Sequence, residues 1–106
     1  MPKKLNIADG NVQVLADTFR LLGDANRLRI ILTCLEGECA VGDISEKTGI
    51  SQPLVSHHLR LLKAMRLMKS EKQGKQVFYS LTDDHIRCVL DDMVHHINEP
   101  MDDNHD

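Results

Sequence analysis

The spacing of apolar residues predicts two helices in the first third of the chain. The first runs from about residue 12 to 22, and its apolar residues recur at intervals of three and four: Val12, Leu15, Phe19 and Leu22. Gly23 is a natural helix end, and Asp24 favours the start of a second helix because its side chain can accept hydrogen bonds from free backbone N–H groups. The apolar face of this second helix comprises Leu28, Ile31, Leu32 and Leu35.

The segment "VGDISEKTGISQPLVSHHLRLLKAMRL" has the pattern of a helix-turn-helix motif. A short helix over 42–48 is followed by Gly49, which can adopt the left-handed conformation that closes a helix. Ser51 favours the start of a longer helix over 52–66. Pro53 falls in the first turn of that helix, where a missing N–H group costs nothing. The turn, the cap and the apolar periodicity therefore agree on two helices joined by a tight turn.

The apolar period becomes alternating in "LMKSEKQGKQVFYSL", where Val77, Tyr79 and Leu81 occupy every second position. Such alternation is typical of a strand, and Gln73-Gly74-Lys75 supplies the tip of a hairpin. A basic two-stranded hairpin directly after a helix-turn-helix motif is a wing.

A final amphipathic helix is predicted to begin at Thr82 or Asp83 and to end near residue 98, because Pro100 cannot continue it. The fold class is therefore mainly α with a β-hairpin wing: a winged helix-turn-helix with an additional helix at each end. We expect one DNA-binding and dimerisation domain over 11–99, a flexible N-terminus over 1–10 and a flexible acidic tail over 100–106.

Length and composition narrow the function classes. A chain of 106 residues is a single domain by the usual size range. It contains no apolar run near the roughly 20 residues that span a bilayer, and "MPKKLNIADG" lacks the apolar segment of a secretory signal. Three cysteines without a CxxC spacing do not make a disulfide framework. These features predict a cytoplasmic protein without a membrane partner.

The net charge of −3 conceals two oppositely charged regions. Residues 51–80 carry a local net charge of +5, whereas residues 81–106 carry −7. A basic segment that coincides with a helix-turn-helix and its wing favours a nucleic-acid partner, since Lys and Arg neutralise phosphates. Uneven surface charge without a function is the alternative interpretation.

The longer helix of the motif has a polar face suited to double-stranded operator DNA. In helix-turn-helix proteins the second helix lies in the major groove with its N-terminal residues at the base edges, while basic residues contact phosphates. Val55, Leu59 and Leu62 should pack inward. The predicted DNA-contacting residues are Gln52, Ser56, His57, Arg60 and Lys63 on the helix and Lys72 and Lys75 on the wing. A solvated helix face is the alternative, and the basic hairpin favours DNA.

The final helix carries many potential metal ligands in "DDHIRCVLDDMVHHINE". His85 and His96 share a face but lie eleven residues apart, which is about 16 Å along a helix axis. Metal–nitrogen bonds are about 2 Å long, so one helix cannot bring both histidines to one ion. Two helices packed antiparallel can, and a twofold axis then generates two identical sites. Each site would draw Asp83 and His85 from one chain. His96 and Glu99 would come from the other.

Two imidazoles and two carboxylates in a closed tetrahedral set suit a zinc ion, with cobalt as a comparable alternative. Nickel favours more ligands, which His105 or the N-terminus would have to supply. Four protein ligands leave no open position for water, so we predict neither an enzyme nor a small-molecule substrate. Solvated histidines beside acids that only stabilise the helix end are the alternative interpretation.

Together these segments resemble the ArsR/SmtB family of bacterial metal-sensing repressors. The resemblance rests on "LADTFRLLGDANRLRIILTCL", on the SHHLRLL helix, on the KQGKQVFY wing and on the D-x-H-x10-H-x2-E pattern of the last helix. It covers about residues 10–100 in the family's order. It implies a winged-helix homodimer that binds operator DNA without metal and releases it when metal, by resemblance zinc, binds between the terminal helices at Asp83, His85, His96 and Glu99.

The cysteines leave a second mode of regulation open. Some family members bind thiophilic metals through Cys-Val-Cys on the first helix of the motif. Here Ala40 and Gly42 stand in those places, and Cys39 lies one position earlier. Other members respond to persulfides through a cysteine pair, so the resemblance implies, as an alternative, a thiol- or oxidant-responsive repressor that uses Cys39 or Cys88. Cys34 is interpreted as a core residue.

Overall fold

A computed structural model describes residues 6–100. Its helices are α1 (Asp9–Leu22), α2 (Ala25–Thr33), α3 (Val41–Thr48), α4 (Gln52–Ala64) and α5 (Asp84–Asn98). Its strands are β1 (Cys39–Ala40), β2 (Met68–Gln73) and β3 (Gln76–Leu81). Of the flexible ends predicted over 1–10 and 100–106, residues 1–5 and 101–106, including His105, lie outside the described range. Within that range, each helix is too short or too polar to cross a bilayer.

The helix boundaries follow the capping residues that the sequence indicates. Asp24 caps α2 by accepting a hydrogen bond from the backbone N–H of Arg27 at 3.0 Å. Ser51 caps α4 by accepting one from the backbone N–H of Leu54 at 3.4 Å. Gly49 closes α3 with φ at +76°, in the left-handed region that is strained for residues with a side chain. Both helices of the predicted motif therefore form, within about two residues of their predicted bounds.

The wing is a three-stranded antiparallel sheet in the order β1-β3-β2. Strands β2 and β3 form the predicted hairpin, and Gly74 in its two-residue loop has φ at +65°. Strand β1 has no counterpart in the sequence prediction. It pairs Cys39 with Tyr79 and Ala40 with Phe78. A strand of two residues is too short to show an alternating pattern, so only its partner in the sheet reveals it.

The core lies between α2, α3, α4 and the base of the wing. Its most deeply buried side chains are Ile30, Ile31, Cys34, Ile44, Val55, Leu59, Leu62 and Met68. The three residues of α4 that were predicted to point inward are all in this set. The predicted apolar face of α2 is confirmed at Ile31, which is fully buried. Leu32 of that face is instead 40% exposed and borders α5, whereas Ile30, which was not assigned to it, is fully buried.

The first and last helices leave apolar faces uncovered. Helix α1 contains no buried residue, and Phe19 is 59% exposed. On α5 only Leu90 is buried, while Ile97 is 73% exposed. Together with α2 these helices line an open apolar groove of about 330 Å³. An apolar surface spread over three helices is typical of a protein–protein interface.

Candidate nucleic-acid interface and metal centre

Helix α4 separates its buried residues from the residues predicted to contact DNA. The buried residues are Val55, His58, Leu59 and Leu62. The predicted DNA-contacting residues are exposed, except for a half-buried Ser56: Gln52, Ser56, His57, Arg60 and Lys63. At about 100° per residue the two sets occupy separate arcs of the helix. The outward arc of α4 is therefore free to enter a major groove.

The wing places basic side chains beside that helix. Lys72 near the end of β2 and Lys75 in the hairpin loop are both exposed. Lys63 connects the two elements, because its Nζ donates a hydrogen bond to Ser70 Oγ on β2 at 2.7 Å. The last turn of α4 and the base of the wing are therefore in contact, and both elements carry exposed basic side chains, which suit phosphate contacts.

His58 is a buried polar residue that the sequence analysis did not single out. It is 7% exposed, and neither ring nitrogen has a hydrogen-bond partner among residues 6–100. Burial lowers the pKa of His58; the charge of Asp24 opposes this shift, whereas Arg27 and His57 add to it. The ring is therefore neutral in the folded protein at neutral pH. Its spacing, four residues before the buried Leu62, is the signal that identifies it as inward-facing.

The four predicted metal ligands are exposed and lie at the two ends of α5. Asp83 caps the helix, and its Oδ1 accepts a hydrogen bond from the backbone N–H of Ile86 at 3.2 Å. His85 lies in the first turn, beside a groove that α1 also lines. His96 and Glu99 lie at the other end, where the Glu99 backbone N–H donates to the His96 carbonyl oxygen at 3.3 Å.

A single chain does not bring these ligands together. Among the described residues, no group of three His, Cys, Asp or Glu side chains is placed to hold a metal ion. This agrees with the separation of about 16 Å between His85 and His96 on one straight helix. The described chain therefore carries the four predicted ligands as two pairs, one at each end of α5.

His95 has contacts of its own within α5. Its Nδ1 lies 2.8 Å from the carbonyl oxygen of Asp91 and 3.5 Å from the carboxylate of the same residue. The hydrogen bond to this carbonyl and the nearby carboxylate raise the pKa of His95. A histidine must be neutral to bind a metal, so these contacts make His95 a poorer ligand than an unpaired imidazole.

The three cysteines occupy different environments. Cys34 is 1% exposed, as expected of a core residue. Burial raises the pKa of its thiol to about 12, and the adjacent Cys39 contributes to the rise. Cys39 is half-buried in β1, and its Sγ donates a weak hydrogen bond to the carbonyl oxygen of Thr33 at 3.7 Å. Cys88 is exposed on α5.

Comparison with known proteins identifies the class of the chain. Residues 24–70 match the model of the bacterial regulatory protein arsR family. A cadmium resistance transcriptional regulatory protein CadC homologue from Staphylococcus aureus is 37% identical over 97 residues, which cover 91% of this chain and 80% of the relative. A transcriptional repressor SmtB homologue from Synechocystis sp. is 34% identical over 87 residues, which cover 82% of this chain and 66% of the relative.

A solved structure confirms the fold. The homodimeric winged helix-turn-helix DNA-binding domain Mb0332 from Mycobacterium bovis matches with a TM-score of 0.79 at 20% identity, covering 99% of this chain and 100% of that one. Fold and relatives together define a winged helix-turn-helix transcriptional regulator and not an enzyme. The chain belongs to the arsR family of bacterial regulatory proteins.

Proposed function

We propose that this regulator is a metal-responsive repressor that binds operator DNA as a metal-free homodimer and releases it when zinc binds between the two α5 helices. The observation that carries the proposal is the arrangement of α5. Its two ends hold exposed carboxylate and imidazole side chains in separate half-sets, and the apolar residues Val89, Met93 and Ile97 beside its buried Leu90 are exposed. A regulator from Staphylococcus aureus that is named for cadmium resistance supports a metal as the signal.

The homodimer accounts for the uncovered apolar surface. Val89 and Met93 are about half exposed on α5, and Ile97 is more so. Antiparallel packing of two α5 helices would cover these side chains and place the start of one helix beside the end of the other. The same packing would join the two half-sets of ligands, so one contact explains both features. The homodimeric neighbour with this fold supports the assembly.

The chemistry of the ligands favours zinc. Asp83 and His85 of one protomer, with His96 and Glu99 of the other, supply two carboxylates and two imidazoles, which fit a closed tetrahedral zinc site. Glu99 follows the helix in an extended conformation, with φ −65° and ψ 136°, so its side chain can leave the helical path toward a neighbouring helix. Cobalt accepts the same set, whereas nickel favours more ligands. Cadmium prefers thiolates, which this set lacks.

Release of DNA follows from linkage between the two sites. A bound ion would cross-link the two α5 helices and fix their relative orientation. Helix α5 packs against β3 of the wing, so this orientation governs how the two wings and α4 helices meet the two half-sites. If metal weakens DNA binding, DNA weakens metal binding by the same factor, with a typical coupling free energy of about 1–3 kcal/mol.

The test is fluorescence anisotropy of labelled promoter DNA with the full chain, with and without zinc. Zinc is expected to lower the DNA affinity of wild type by about 5–150-fold. His96→Ala should bind DNA normally without metal and lose the response. His95→Ala is the matched control, because His95 lies outside the ligand set, and it should respond as wild type does. A normal zinc response in His96→Ala would refute the site.

A further inference from the structure

The end of the wing is connected to the loop that precedes β1. Gln73, at the last position of β2, donates a hydrogen bond from its Nε2 to Glu38 Oε1 at 2.9 Å. The two residues are 35 positions apart in the chain, so this contact is not part of the hairpin itself. Both side chains are exposed. Because the acceptor is a carboxylate, the bond is charge-assisted and stronger than one between neutral groups.

The wing has little other support at this end. Strand β1 pairs with β3 at only two positions, and the second of these is Phe78. The hairpin continues past Phe78 to its last pair, Gln73 with Gln76, where no third strand is present within residues 6–100. A two-stranded hairpin without a third strand is only marginally stable in water. The bond to Glu38 therefore supports the part of the wing that β1 does not reach.

We propose that Glu38 is a positioning residue for DNA binding, which orders the wing through Gln73 before the DNA arrives. The proposal rests on the proposed contact between the wing and DNA phosphates. The two wing lysines of that contact are close to the bond, because Lys72 directly precedes Gln73 and Lys75 follows it by two positions. A hairpin that is already ordered loses less conformational entropy when it binds, so the same phosphate contacts give a higher affinity.

The charge of Glu38 acts in the opposite direction and has to be separated from the bond. A carboxylate near the wing lysines weakens the positive potential that attracts phosphates, so removal of the charge alone should raise the affinity for DNA. Glu36 provides the matched control, since it is exposed and negatively charged in the same loop but takes no part in the bond to Gln73. The difference between Glu38→Ala and Glu36→Ala therefore reports the bond rather than the charge.

The decisive experiment measures the affinity of the full-length, metal-free protein for labelled promoter DNA by fluorescence anisotropy. The bond is exposed, so we take the low end of the usual range for a hydrogen bond, which is about twofold in affinity for each wing. Because the dimer has two wings, Glu38→Ala should bind about fourfold more weakly than Glu36→Ala. Glu38→Gln keeps an oxygen that can accept from Gln73, and it should bind at least as tightly as wild type.

Two further measurements test whether Glu38 acts through the wing. In a Gln73→Ala background the bond is already absent, so Glu38→Ala and Glu36→Ala should then bind DNA equally well. In the free protein, amide hydrogen exchange over residues 72–77 should be faster in Glu38→Ala than in Glu36→Ala, while exchange in the core helices stays the same.

Several results would overturn the proposal. One is equal affinity of Glu38→Ala and Glu36→Ala, and another is a difference between them that persists in the Gln73→Ala background. Failure of the wing contact itself has a different signature, because Lys72→Ala/Lys75→Ala would then leave both the affinity and its salt dependence unchanged. That result would overturn the wing contact and the role of Glu38 together. All measurements are made without metal, so they do not depend on the zinc response.

Discussion

Because His58 is buried on α4, we predict that acid lowers the stability of the folded protein. The dependence of stability on pH therefore tests how α4 packs. The ring is 7% exposed, and neither nitrogen has a hydrogen-bond partner within residues 6–100. The charged and titratable groups that face it are Asp24 and Arg27 from α2 and His57 from α4, whose ring centroid lies 5.7 Å away. Burial is the largest influence and lowers the pKa of His58. The experiment therefore lowers the pH and compares the free energy of unfolding of wild type with that of a variant that lacks the imidazole ring.

The direction follows from proton linkage. Because the pKa of His58 is lower in the folded protein, the unfolded chain binds the proton more readily. The stability that His58 contributes is complete above the unfolded pKa of about 6.5 and is lost as pH falls below that value toward the folded pKa. If the buried ring stays neutral, a fall from about pH 7.5 to about pH 5.5 lowers the free energy of unfolding by up to about 1.4 kcal/mol.

The assay is urea unfolding of wild type, His58→Leu and His57→Gln across this pH range, with a chelator present. Leucine has a similar size and needs no hydrogen bond, so His58→Leu should lose the acid sensitivity that comes from this ring. His57 is exposed, so His57→Gln should follow wild type. The pKa of His95 is raised by its hydrogen bond to Asp91, which favours the folded state in acid, but this contribution is common to all three proteins. Equal pH dependence in wild type and His58→Leu would refute the reasoning.

The wing and the proposed dimer each give a further prediction. Lys72→Ala/Lys75→Ala removes two lysines from each of the two wings of the dimer. The slope of log affinity against log salt concentration should therefore fall by up to about 3.6, because each phosphate contact contributes about 0.9. An unchanged slope would place the wing away from phosphates. Met93→Asp sets a charge in the apolar face of α5, so light scattering should detect a monomer, while Asp84→Asn on the opposite side of the helix should remain a dimer. A dimeric Met93→Asp protein would locate the interface elsewhere.

Local chemistry let the sequence predict most of the secondary structure. Asp24 and Ser51 each accept a backbone hydrogen bond three residues ahead, and Gly49 takes the left-handed conformation that ends a helix. These interactions lie within one turn, so the pattern of residues along the chain is enough to predict them. The outward residues of α4 were predictable for the same reason, since one helix fixes which side chains share a face.

The sequence also determined the limits of the metal-site hypothesis. His85 and His96 are eleven positions apart, and this separation excludes a common ion on one helix, whatever the rest of the fold does. Residues 6–100 of a single chain contain no group of three potential ligands placed to hold a metal ion. A second copy of the chain is needed to bring the four predicted ligands to one ion. The identity of these four ligands remains a prediction.

Only the tertiary structure decided which elements contact each other when they are distant in sequence, and how each helix is rotated about its own axis. In the folded chain Ile30 rather than Leu32 is buried in the core, and β1 pairs with β3. Lys63 donates a hydrogen bond to the wing, and Cys39 lies close to the end of α2. The physical reason is that periodicity along a chain defines which residues share a face but not what that face packs against. Packing sets the rotation and position of each element, and these determine which side chains meet.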